Sequence, residues 1–496
     1  MNQTPATDAL EQRFRQMAHL NGASAILGWD AATMLPAGSG DVRGEQLAAL
    51  AEIVHEKLTD PAMEDLFAAA AAEKLEGWRA ANLREMRHRH QHATAVPAAL
   101  VTEETKTRIA SELQWREAKK TSDFAGYAPM YDRMLQVSRR VAEAKAEALK
   151  LSPYDALLDS YDPGMRASTI DPIFADLKTW LPDMVGSVIE AQKRQPVLPL
   201  AGANLPTETQ DALARDMMQA LGFNTSEGRI DLSTHPFCGG VPGDVRITTR
   251  YGEDFTESLF GVLHETGHAL YEQGLPVAWR GLPIGEARGM TLHESQSLFV
   301  EMQLAHSPAF MRFLQRNLQA RAGLSGPAWE PANLIRALSQ VERSFIRTNA
   351  DEVTYPLHVI LRYELEQALL SGDLPMRDLP GAWAEKMQVY LGITPPDHAR
   401  GCLQDVHWPE GMYGYFPTYT LGAMTAAQLM DAARRDLPAM DHAIERGELG
   451  QITAWLREHV HRHGSQFSTP ELIARATGKP LDPAIFKAHL EARYLA

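Results

Sequence analysis

The sequence predicts a mainly α-helical protein, a large helical bundle with two lobes around a groove and a small β-sheet beside one chemically loaded helix. Three observations support this. Apolar residues recur every three or four positions through most of the chain, as in VRGEQLAALAEIVHEKL (42–58), DPIFADLKTWLPDMVGSVIEAQKR (171–194) and LHVILRYELEQALLSG (357–372), with Gly or Pro between the segments. Strand-like alternation is confined to RIDLS (229–233) and DVRITTRY (244–251), which flank a turn-rich THPFCGGVPG (234–243). No repeat, low-complexity run or Gly/Ser linker divides the chain, so residues 1–496 are expected to form one domain with two lobes.

Taken in order, the alanine- and charge-rich stretch from about 60 to 150 predicts helical hairpins. The sheet follows, and then the helix that carries HETGHALYEQG (264–274). Asp254 is placed to cap that helix, with Glu257 completing a capping-box-like pair. Phe255, Leu259, Val262, Leu263 and Leu270 supply its packing surface, and Gly274 followed by Pro276 reads as a stop.

His264 and His268 stand four apart, so a 3.6-residue turn places them on one face. With 18 His in 496 residues, HExxH is expected by chance on the order of a few hundredths of a time. The looser HxxxH pattern occurs twice more, at His88/His92 and at His459/His463, without the acid and among arginines. Both are read as solvated helix faces. Catalytic zinc takes three protein ligands and leaves a fourth position open. The third ligand must come from the helical stretch that follows, where Glu294 lies 26 residues after His268 and Glu301, seven further on, is its rival.

Charge and composition narrow the function. A net charge of −15 and a pI near 5.7 argue against a nucleic-acid or anionic-membrane partner. No apolar run suggests a membrane span, and the first twenty residues do not read as a signal peptide. Two cysteines, Cys238 and Cys402, exclude a disulfide scaffold and suit a reducing cytoplasm.

Six motifs occur in order: HPF (235–237), DVRIT (244–248), HETGH (264–268), HESQ (293–296), IRTNAD (346–351) and GCLQDVHW (401–408). LGWDAATMLPAGS (27–39), SPYDALLDSYDPGM (152–165), GYFPTYTLGA (414–423) and ATGKPLDP (476–483) add to them. The set resembles the thermostable carboxypeptidase Taq family of zinc metallocarboxypeptidases, across nearly the whole chain. That resemblance implies a deep groove, one divalent metal (zinc, with cobalt as the alternative), a homodimer, and removal of C-terminal residues from peptides. It selects Glu294 as third ligand beside His264 and His268. Glu265 is then the expected general base. His407, Tyr415 and Tyr419 are the expected donors to the tetrahedral oxyanion. Arg347, and after it Arg246, is the candidate anchor for the substrate carboxylate. A similarity to helical zinc dipeptidases gives His235 the substrate backbone, and Asp405 is expected to orient a histidine. HExxH alone also suits an oligoendopeptidase or a dipeptidyl carboxypeptidase.

Overall fold

A computed structural model describes residues 4–495. Twenty α-helices and a single three-stranded sheet make up its regular structure, apart from short turns of 3₁₀ and π helix. The expected segments fall on the helices Gly40–Thr59, Ala167–Gln192 and Tyr355–Ser371, the second and third overrunning their helix ends by two residues and one. The hairpins are Ala62–Ala71, Gly77–Ala95, Ala98–Thr121 and Phe124–Leu149. None of the helices is long and apolar enough to cross a membrane.

Two large cores organise the helices. One gathers Tyr131, Phe174, Leu181, Ile360, Trp383 and Trp408. The other gathers Leu213, Leu263, Phe299, Phe310, Leu429 and Trp455. Helix Pro417–Asp436 serves both, giving Leu421 and Met424 to the first and Ala426 and Leu429 to the second. A third, smaller core packs the N-terminal helices on Leu282 and Ile284.

The sheet holds one more strand than the sequence suggested. β1 (Gly228–Leu232) runs parallel to β3 (Asp244–Thr249), and β2 (Cys238–Val241) pairs antiparallel with β3 from within the supposed turn. Two glycines mask β2 in the sequence, because they weaken strand propensity without preventing pairing. Ile230, Val245 and Ile247 pack the sheet on Val262 and Ala269 of the Phe255–Gly274 helix.

Candidate active site

Asp254 caps the HETGH helix by accepting from the Thr256 amide at 2.8 Å. Glu257 does not close a capping box; its nearest cation is Arg250, at 4.0 Å. The helix ends at Gly274, as the Gly-Leu-Pro stop predicts, and the glycine has a second use: a Cβ there would meet the His461 ring at 2.4–2.8 Å.

Glycine at 267, inside HETGH, has a similar purpose. A Cβ there would lie 2.4 Å from the Gln296 carbonyl oxygen and 2.6 Å from the Ser297 Cα. The helix thus meets the Gly289–Leu298 helix backbone to backbone, which brings Glu294 to the histidines. From the other side Gly422 closes on Glu294, whose Cβ would be 2.9 Å from an added methyl. One ligand atom each from His264, His268 and Glu294 lie within 4.8 Å of one another. His268 Nε2 is 3.5 Å and His264 Nε2 4.0 Å from Glu294 Oε2.

The remaining ring nitrogens are held from behind. His268 Nδ1 donates to the His293 carbonyl at 3.0 Å, and His264 Nδ1 to Glu301 Oε2 at 2.8 Å. Each bond fixes a tautomer and turns Nε2 toward Glu294. Glu301 is therefore neither a rival ligand nor a bystander. It lies in a π-helical stretch, Phe299–Ala305, that continues the Glu294 helix. Burial alone would depress the His264 pKa, but the Glu301 hydrogen bond and the charges of Glu301, Glu294 and Glu265 push it up to about 10. His268, buried and facing His293 and His264 but no hydrogen-bonded carboxylate, falls well below the usual range. Both rings must be neutral to hold an ion; His268 already is, so loading should release the proton held by His264. Glu294→Gln is expected to empty the site. Glu301→Gln should keep stoichiometric metal at saturation with affinity about 10–100-fold weaker. Competition against a chromophoric chelator measures both, and equal affinities for Glu301→Gln and parent would remove Glu301 from the site.

Around these ligands lies a cavity of about 670 Å³. Glu265, 7% exposed, is on its wall. Burial raises the Glu265 pKa to about 7; His264 opposes the shift while Glu294 and Glu301 add to it. Arg347, Tyr355, Tyr415 and Tyr419 form another part of the wall. Arg347 is 6% exposed, its Nε on Asp405 Oδ1 at 3.0 Å and its Nη1 on the Tyr355 hydroxyl at 2.7 Å. Its guanidinium carbon lies 4.9 Å from the Tyr419 ring centroid. Nη2 has no hydrogen-bond partner among the described residues.

Asp405 serves two arginines, not a histidine. Its other oxygen takes Arg362, whose Nη2 is 2.6 Å away. Burial would raise the Asp405 pKa, but the Arg362 and Arg347 charges hold it well below the carboxylate range. Asp351, in the same motif as Arg347, instead accepts from the Thr354 and Val353 amides. His407 stands behind the wall, its Nε2 3.2 Å from the Tyr419 hydroxyl. Burial, assisted by the Arg347 and Arg362 charges against that of Asp405, lowers its pKa to about 4, so it is neutral near pH 7.

Two sequence candidates stand apart from these walls. His235 is exposed, although its neighbours Pro236 and Phe237 reach the cavity. Arg246 is paired through two bonds with Asp244, at 2.6 and 2.8 Å, and faces the Trp29 ring. Sequence reasoning missed His293, Tyr355, Arg362 and Glu366. Glu366 is fully buried and accepts from the Tyr154 hydroxyl, Trp408 Nε1 and the Gly414 amide, which pins the loop leading to Tyr415. A glutamate amid LHVILRYELEQALL was the available signal, because buried carboxylates need several donors.

Of the other HxxxH pairs, His88 and His92 are not a solvated face, since both rest on buried Asp159. His459 and His463 are partly exposed, while His461 between them is buried with Nε2 2.9 Å from Gln296 Oε1.

Comparison with known proteins agrees with this geometry. Residues 9–494 match the carboxypeptidase Taq (M32) metallopeptidase family. Thermostable carboxypeptidase 1 of Thermus thermophilus is 40% identical, with 97% of each chain covered. Among solved structures, Trypanosoma cruzi metallocarboxypeptidase 1 superposes with a TM-score of 0.97 at 40% identity, covering 100% of both chains. The M32 carboxypeptidase of Deinococcus radiodurans R1 gives 0.93 at 35%, covering 99% of this chain and 98% of that one. A family match over nearly the whole length, with three candidate ligand residues gathered at one cavity, makes this chain a member of the carboxypeptidase Taq (M32) metallopeptidases, a metal-dependent carboxypeptidase.

Proposed function

We propose that the enzyme removes single residues from free C-termini with broad side-chain tolerance, and that Glu265 moves the protons. The observation that carries this reading is the sharing of one cavity by Glu265, the ligand trio and a buried, partly unpaired arginine. Two imidazoles and one carboxylate, with both Nδ1 atoms tied back, suit zinc better than a hard cation. His264, His268 and Glu294 would hold it. A bound zinc ion supplies Lewis acidity toward the scissile carbonyl and acidifies water.

Glu265 takes a proton from the attacking water and delivers it to the departing amine. Arg347, through Nη2 and with the Tyr355 hydroxyl beside it, holds the terminal carboxylate. Tyr415 and Tyr419 present hydroxyls to the developing oxyanion, with His407 orienting Tyr419. Arg246 and His235 are the second choices for substrate contact, since neither lines this cavity. Residues from 236 to 423 line one cavity, which supports a single catalytic domain. Family membership further carries the proposal of a homodimer, and two free thiols suit the cytoplasm.

Digestion of one unblocked peptide, read by mass spectrometry, tests the cut. A ladder of single C-terminal losses is expected. Dipeptide steps would instead indicate a dipeptidyl carboxypeptidase, and internal fragments an oligoendopeptidase.

A further inference from the structure

We propose that His88, His92 and Asp159 form a second metal site, one that takes a borderline transition ion such as zinc. His88 and His92 lie one turn apart on the Gly77–Ala95 helix, with ring centroids 4.5 Å apart. Asp159 comes from the Pro153–Tyr161 helix and is 4% exposed. Its Oδ2 receives His88 Nε2 at 2.5 Å and His92 Nε2 at 3.0 Å. One ligand atom from each of the three lies within 4.8 Å of the others, the same convergence seen at the catalytic trio.

The carboxylate is held from behind. Asp159 Oδ1 accepts from the Gly164 amide at 3.0 Å and from Arg166 Nη1 at 2.7 Å, which leaves Oδ2 for the imidazoles. Such fixing is how ligating carboxylates are oriented. His88 and His92 also border a cavity of about 640 Å³, where open coordination positions can be filled by water. With metal–nitrogen bonds of about 2.0–2.1 Å, tetrahedral ligands stand roughly 3.3 Å apart. The two nitrogen–oxygen separations, now 2.5 and 3.0 Å, must therefore open by less than about 1 Å.

The donor set also selects the ion. A hard cation such as calcium needs several oxygen ligands, and this site offers one carboxylate with Arg166 and Lys145 nearby. Imidazole nitrogens suit zinc, copper, nickel or cobalt. The placement gives the ion a structural role. It would tie the N-terminal helices to the lobe that carries Tyr161, and Tyr161 packs edge-on against Tyr415 of the groove at 5.0 Å. The same cavity shares Met290 and His293 with the groove.

Metal content after dialysis against micromolar zinc tests the proposal. The parent should hold about two ions per chain, Glu294→Gln about one, and His88→Gln/His92→Gln about one. Combining all three substitutions should leave about none. Retained peptidase activity shows that the double variant folds. If it does not fold, cobalt replaces zinc in Glu294→Gln, where visible absorption from nitrogen ligands should appear and be lost on adding His92→Gln. One ion in the parent and none in Glu294→Gln would overturn the second site. So would an ion that persists in the combined variant, or a cobalt spectrum indifferent to His92.

Discussion

Glu265→Gln is expected to lower kcat by roughly 10²–10⁴-fold, the usual contribution of a positioned acid–base group, while the protein stays loaded with metal. Glutamine keeps the volume of a side chain that is 7% exposed, so packing changes little. His264, His268 and Glu294 are untouched. What disappears is the ability to accept a proton at the carboxylate oxygen. Because that loss falls on the transition state, kcat and kcat/KM should drop together. Parallel measurement of metal content and single-turnover rate decides the matter. A fully loaded variant within a few-fold of the parent rate would assign the proton transfer to another group.

Arg347→Ala should cost about 2–5 kcal/mol in kcat/KM, the range for removing one partner of a buried charge pair. The structure sharpens this expectation. Asp405 keeps Arg362 after the substitution, so no buried carboxylate is stranded and the fold should survive. One prong of the guanidinium is already given to Tyr355, so the substrate carboxylate meets Nη2 and the tyrosine hydroxyl together. Arg347→Lys should recover only part of the activity, since an ammonium cannot serve Asp405, Tyr355 and substrate in one plane. Matched peptides ending in a free acid or an amide provide the readout. The parent should prefer the acid strongly, and Arg347→Ala should nearly erase the preference. A variant that still discriminates like the parent would place the anchor elsewhere, with Arg246 tested next.

Helices were legible because their apolar period persists whatever they pack against. The convergence of His264, His268 and Glu294 was legible because HExxH places two histidines in one helix turn, and the family pattern chose Glu294. Features made by long-range contact were not legible. Asp405 lies 58 residues from Arg347 in sequence, and its motif pointed to a histidine partner rather than to the two arginines it serves. Asp159 is likewise far from His88 and His92, so their helix read as solvated. Strand β2 was hidden because Cys-Gly-Gly-Val has no alternation to show. Gly267 was read as part of a motif, whereas its contribution is the missing Cβ that lets two backbones touch.

The π-helical stretch Phe299–Ala305 has a consequence for chain length itself. A π turn is an α turn widened to i→i+5 bonding, in effect by one surplus residue. Deleting one residue there would restore the commoner α ladder and strengthen local hydrogen bonding. It would also swing everything beyond the deletion by about 100° relative to Glu294. Glu301 would leave His264, and the ring it steadies would be free to turn. Selection for thermal tolerance alone would therefore favour shortened chains that refold well and hold metal poorly, a divergence that melting temperature and metal content measured side by side would expose.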